Sequence, residues 1–112
     1  MKVKNDLIFV EHILDSIKAI EEFSGEITEK ELSSNRLRQS AIVREIEVIG
    51  EAAKNISDEF KKKHAEVPWK EIVGTRDKLI HHYFGIDLSI VWRIVKTFIP
   101  DLKKILEKIH KS

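Results

Sequence analysis

The sequence predicts an all-α bundle of four or five helices. Three observations carry that expectation. Apolar residues recur three and four apart through most of the chain, which is the spacing of one helix face. No segment shows the apolar/polar alternation of a strand. Breakers are scarce, with two prolines and four glycines in 112 residues. The length fits a single domain over residues 1–112. A chain of that size buries roughly two-thirds of its unfolded surface, enough for a core without staples.

The first helix is predicted from the apolar positions Leu7, Val10, Ile13, Leu14, Ile17, Ile20 and Phe23. Asn5 is suited to capping its start, and Ser24-Gly25 to ending it. Residues 26–33 read as a polar connection with room for one helical turn. The second helix is predicted from about Asn35 to Ile56. Its apolar stripe is Ile42, Ile46, Ile49, Ala53 and Ile56, with Arg44, Glu47 and Glu51 roughly opposite. Gly50 inside it costs up to ~1 kcal/mol relative to alanine. A close helix approach explains that glycine; a neutral surface position is the alternative.

Residues 57–67 read as a polar loop carrying Lys61-Lys62-Lys63, most simply a solvated stretch. Pro68 suits a first helical position, with Trp69, Ile72 and Val73 behind it. That helix either continues or breaks near Gly74. Phe84-Gly85-Ile86 looks like a turn, and Asp87 a helix cap. From Ile90 to Ile109 a last apolar face follows, in which Pro100 either kinks the helix or starts a new one after Phe98. Trp69 and Trp92 are expected to anchor the core.

Charge and composition narrow the function. Twenty Lys and Arg against 19 Asp and Glu leave a net charge of +1. There is no global basic field, so any nucleic-acid role must be local. The absence of cysteine excludes disulfides, thiolate metal sites and a cysteine nucleophile. It is compatible with a reducing cytosol. Met1–Val10 does not read as a signal peptide, and no apolar run approaches the ~18 residues of a membrane span. A cytoplasmic protein without membrane attachment is expected. His12, His64 and His110 fall on different elements, so neither a metal site nor a cofactor is expected.

One segment concentrates reactive groups: Arg76-Asp77-Lys78-Leu79-Ile80-His81-His82-Tyr83. Arg binds phosphate oxygens bidentately, and His both takes and gives protons near neutral pH. If the segment is helical, Asp77 and His81 share a face at i and i+4, where the carboxylate can orient the imidazole. Arg76 and His81 stand about 140° apart around such a helix. They would flank one phosphate rather than touch. On spacing alone, a chance surface Arg/His pair and a half-buried tyrosine are the favoured reading.

The wider pattern decides more. Ile49-Gly50-Glu51-Ala52-Ala53, Pro68-Trp69, Gly74-Thr75-Arg76-Asp77, His81-His82-Tyr83, and Asp87 with Val91-Trp92 follow one another in order. With its R-x4-H-x-Y core, the chain resembles the HepT-like toxins of the HEPN superfamily over nearly its whole length. The resemblance implies a HEPN bundle that forms a homodimer. It implies a metal-independent endoribonuclease with Arg76 and His81 as catalytic pair, in a type II/VII-like toxin–antitoxin system. It also implies a partner, a nucleotidyltransferase antitoxin of the MntA type, that attaches AMP to Tyr83. The residue after the arginine is commonly Asn in the family, whereas here it is Asp77. A non-catalytic helical subunit, serving only as partner and modification substrate of a nucleotidyltransferase, is the competing reading.

Overall fold

The structure, a computed structural model, describes residues 2–80 and 88–111, with backbone alone for residues 2–4, 76 and 78–80. Every described element is helical: α1 (Lys2–Ser24), α2 (Glu29–Ser33), α3 (Arg36–Lys54), α4 (Asp58–Lys63), α5 (Trp69–Ile80), α6 (Leu88–Arg93), a π-helical turn (Ile94–Phe98) and α7 (Ile99–Lys111). The all-α expectation holds. Four long rods form the body (α1, α3, α5 and the run α6–π–α7), and two short helices bridge them. None of the described helices is long and apolar enough to cross a membrane.

The predicted apolar stripe of α1 is the centre of the core, with Val10, Ile13, Ile17 and Ile20 fully buried. α1 starts at Lys2, so Asn5 does not cap it. The stripe reaches one step further back than expected, to Asp6, which is 3% exposed. α1 ends where expected. Gly25 takes φ +43°, a left-handed conformation that glycine adopts without a Cβ penalty, and its N–H donates to the Glu21 carbonyl at 2.8 Å.

The turn expected in residues 26–33 is α2, started by a reciprocal cap. Thr28 Oγ1 accepts from the Glu31 N–H at 3.1 Å, and Glu31 Oε1 accepts from the Thr28 N–H at 2.9 Å. That donation, first of all, holds the Glu31 carboxyl below its ordinary 4.5. A depressed carboxyl stabilises the fold above its unfolded pKa, and the contribution disappears as pH falls through the folded value. Thr28→Ala is expected to cost ~1 kcal/mol in urea titrations at neutral pH. That variant keeps the Thr28 N–H that lowers the Glu31 pKa, so it is Glu31→Gln that should flatten the dependence of stability on acid pH.

Asn35 caps α3 as expected, accepting from the Arg38 N–H at 3.0 Å. The buried stripe of α3 matches the sequence, and Gly50 is buried with it, which removes the surface reading of that glycine. The stretch expected as a loop after α3 contains α4. Ser57 caps it, Asp58 and Glu59 occupy its first turn, and Lys61, Lys62 and Lys63 its last. That order of charge complements the helix dipole at both ends, which is why six mostly polar residues hold a helix. Phe60 is its buried anchor.

Asp6 explains the entry to α4. Its carboxylate accepts from the Ser57 N–H at 2.8 Å and from the Ser57 hydroxyl at 2.7 Å. The same hydroxyl oxygen accepts from the Phe60 N–H at 3.2 Å. The start of α1 is thus tied to the start of α4 through the cap itself.

α1 packs on α3 and α7, α3 on α5, and α2 on α3 and α6. Lys103 of α7 reaches Glu21 of α1 at 2.9 Å, and His110 reaches Glu11 at 3.1 Å, so α7 runs back along α1. Glu21 draws the Lys103 ammonium pKa upward, by hydrogen bond first and by charge second. Pro100 falls in the first turn of α7, where a missing N–H is tolerated. This is the second of the two options left by the sequence. The π turn, whose register is set by Ile99 N–H donating to the Ile94 carbonyl, hands the chain to α7 without a loop.

Candidate functional site

The reactive segment begins on α5. Its start is fixed by aromatic packing: the Trp69 indole N–H donates to the His64 carbonyl at 3.0 Å, and the Phe60 ring meets the Trp69 ring edge-on at 6.3 Å. Trp69 is a core anchor, as expected, at 9% exposed, and Ile72 follows it into the core. Pro68 precedes the helix and accepts its first intrahelical bond, from the Ile72 N–H at 3.1 Å. From there α5 is unbroken to Ile80, so the break considered near Gly74 does not occur. Arg76 and Asp77 therefore sit on a continuous helix.

Phe60 of α4 packs on Trp69 at the start of α5, and α5 packs on α3. α2 packs on both α3 and α6.

Of the predicted site residues, the structure describes the backbone of Arg76 and the whole of Asp77. The Arg76 side chain, and all of His81, His82, Tyr83 and Asp87, lie outside the described residues. The Asp77–His81 contact and the Arg76–His81 geometry are expectations of the sequence. Asp77 is half-buried and lines a groove of about 890 Å³ between α4 and α5. Lys61 and Lys62 line the same groove, as do Trp69, Val73 and Gly74. The lysine run taken as solvated thus borders the helix that carries Asp77. A second groove, about 700 Å³, separates α5 from α6–π–α7 and includes Gly74, Thr75, Arg93 and Phe98.

The remaining histidines have local partners. His12 meets Phe9 edge-on, His64 tilts over Phe60, and His110 pairs with Glu11. Trp92 is only partly buried, with the Lys96 ammonium 4.7 Å above its ring, so it borders the core rather than anchoring it.

The family model described as "HepT-like: Ribonuclease HepT-like" matches residues 13–109. The chain belongs to the HepT-like ribonuclease family. The match spans the R-x4-H-x-Y segment in full. A protein named "Probable ribonuclease HepT" from Thermococcus cleftensis is 46% identical, over 92% of this chain and 94% of that protein. A candidate RNase of Methanocaldococcus jannaschii is 42% identical over 100% of this chain and 93% of its own. A second M. jannaschii protein, described as a gamma-glutamylcyclotransferase and candidate RNase, is 44% identical over 97% of this chain. There the match covers 51% of the length. No solved structure matches significantly. Cleavage of RNA is the activity that goes with the family to which this chain belongs.

Proposed function

We propose that this HepT-like chain is a metal-independent endoribonuclease whose catalytic pair is Arg76 and His81. It acts as the toxin of a type II/VII-like toxin–antitoxin pair. The observation that carries the reading is the family match running through Arg76, His81 and Tyr83 in their R-x4-H-x-Y spacing. RNA supplies its own nucleophile, the 2′-hydroxyl beside the scissile phosphate. The protein then has to move protons and stabilise charge. His81 takes the 2′-hydroxyl proton, the 2′-oxygen attacks phosphorus, and the 5′-oxygen leaves with a proton. Arg76 binds the non-bridging oxygens and stabilises the pentacoordinate transition state. Asp77, one residue on, orients the His81 ring. In a homodimer the second His81 is available as the acid.

The products are a 2′,3′-cyclic phosphate and a 5′-hydroxyl. Incubation of the unmodified protein with total RNA in excess EDTA, followed by end-group analysis, tests this. A requirement for divalent metal, 5′-phosphate ends, or cleavage of DNA would each contradict the scheme. No cleavage by protein whose mass shows a free Tyr83 would favour the non-catalytic partner subunit.

Control follows from the same segment. A nucleotidyltransferase antitoxin of the MntA type transfers AMP from ATP to the Tyr83 hydroxyl, two residues from His81, with release of pyrophosphate and the phenol proton. The added anion blocks the site, repels RNA phosphates and competes for Arg76. Tyr83→Phe is expected to cleave RNA at near the wild-type rate and to escape inhibition by the partner. Loss of cleavage in that variant would instead give the hydroxyl a part in the chemistry.

A further inference from the structure

Lys61 and Lys62 of α4 and Lys70 of α5 line one groove. Among the described residues, none of the three takes part in an ion pair. Lys61, Lys62 and Lys63 are consecutive in the last turn of α4. A helix terminus carries only about half a charge, so a single lysine is enough to complement it. The run therefore concentrates surplus positive charge at one spot, in a chain whose net charge is only +1. The carboxylates of the groove are scattered instead. Asp58 and Glu71 each sit in the first turn of a helix, where the positive end of the dipole offsets them. Asp77 lies about 9 Å further along α5 than Glu71.

Between these charges the floor is apolar, with Pro68 and Val73 half-buried and so still open to a ligand. A ligand that fits has anionic groups along one edge and flat, weakly polar bodies along the other. Single-stranded nucleic acid is built that way: cations track its phosphates while its sugars and bases lie on side-chain surface. A helix of another protein would suit the floor, but it would not call for consecutive unpaired cations. The course of the groove agrees. Its α5 wall is the stripe Lys70, Val73, Gly74 and Asp77, three and four apart, which ends at the residue after Arg76. From Lys70 to Arg76 the helix advances about 9 Å. A strand lying in the groove is thus led to the arginine.

We infer that the groove between α4 and α5 holds the RNA strand that flanks the scissile phosphate. Lys61 and Lys62 bind its phosphates, and Pro68 and Val73 lie under its sugars and bases. The inference deepens the proposed function and rests on it for its effect on cleavage. It supplies the local basic patch that a chain without a global basic field needs to hold RNA. Lys61 and Lys62 are positioning residues, since they hold the strand away from the reacting atoms.

Binding of a single-stranded, 2′-O-methylated RNA of ~12 nucleotides, read by fluorescence anisotropy, tests the groove apart from cleavage. That probe has no free 2′-hydroxyl to attack with. The slope of log affinity against log salt should become shallower by about 0.7 for each lysine removed, and so by about 1.4 in Lys61→Gln with Lys62→Gln. At about 0.15 M salt this makes binding ~10-fold weaker. Helix content should stay that of wild type, because glutamine and lysine have similar helix propensity. Lys104→Gln with Lys111→Gln makes the same change of charge on α7, outside the groove, and should move neither slope nor affinity. With cleavable RNA the loss in the groove variant should fall on KM, with kcat changed far less. Equal slopes for wild type and groove variant, an equal effect of the α7 pair, or a loss confined to kcat would each overturn the inference. So would a groove variant that keeps its RNA affinity but no longer binds the nucleotidyltransferase, which would give the groove to that protein. A wild type that binds as expected but cleaves no RNA would leave the groove standing and remove the ribonuclease scheme.

Discussion

His81→Ala is expected to lower kcat for RNA cleavage by ~10²–10⁴-fold, the range lost with a positioned acid–base group. KM should change far less, because in the proposed scheme the imidazole moves protons while Arg76 holds the phosphate. The pH profile should lose the limb that belongs to the imidazole. Arg76→Lys keeps the charge but not the planar fork, so its loss should fall on kcat through poorer charge stabilisation in the transition state. If the two groups act on one transition state, the double variant should be little worse than the worse single one. Multiplying losses would mean that the two act in separate steps. A His81→Ala protein that cleaves at the wild-type rate in EDTA would remove His81 from the mechanism.

The largest stability effect is expected at Asp6, far from that chemistry. Asp6→Ala removes both oxygens that accept from Ser57, at 2.8 and 2.7 Å, at a site 3% exposed. Hydrogen bonds to a charged group contribute ~1.5–3 kcal/mol each, and an orphaned buried donor adds its own penalty. With some solvent reaching Ser57, a net loss of ~2–4 kcal/mol is expected, or roughly 10–20 °C in melting temperature for a domain of this size. Asp6→Asn keeps an acceptor for the Ser57 N–H and should lose clearly less. Equal melting temperatures for Asp6→Ala and wild type would show that the tie between α1 and α4 is not a stabilising one.

Asp6 also shows where the sequence was and was not legible. The α1 stripe, the Asn35 cap and the end of α1 at Gly25 are written locally, as periodicity and as backbone need, and the structure has all three. Asp6 lies on that same stripe, four residues before Val10, so a carboxylate on an apolar face was the available sign of a buried polar contact. Its partner lies 51 residues away, and no local pattern names it. α4 went unread for a related reason. Its cap and its charge order are in the sequence, but only Phe60 marks a buried side. The candidate site was legible as chemistry, because its groups fall within eight consecutive residues. The grooves were not, because the placing of Lys61 and Lys62 in one groove with Asp77 depends on how α4 is docked, a tertiary fact.

The packing of α5 on α3 has a dynamic consequence. α1, α3 and α7 form a body held by the fully buried stripe of α1 and by the ion pairs along α7. Among the described residues, α5 shares one extensive interface with that body, on its α3 side. Detaching it exposes one helix face and spares the rest of the core, so it is a local opening that costs less than global unfolding. The helix bearing Arg76 therefore belongs to a cooperative unit of lower stability than the α1–α3–α7 body. Anything that binds across α5 and its neighbours would raise that local stability directly.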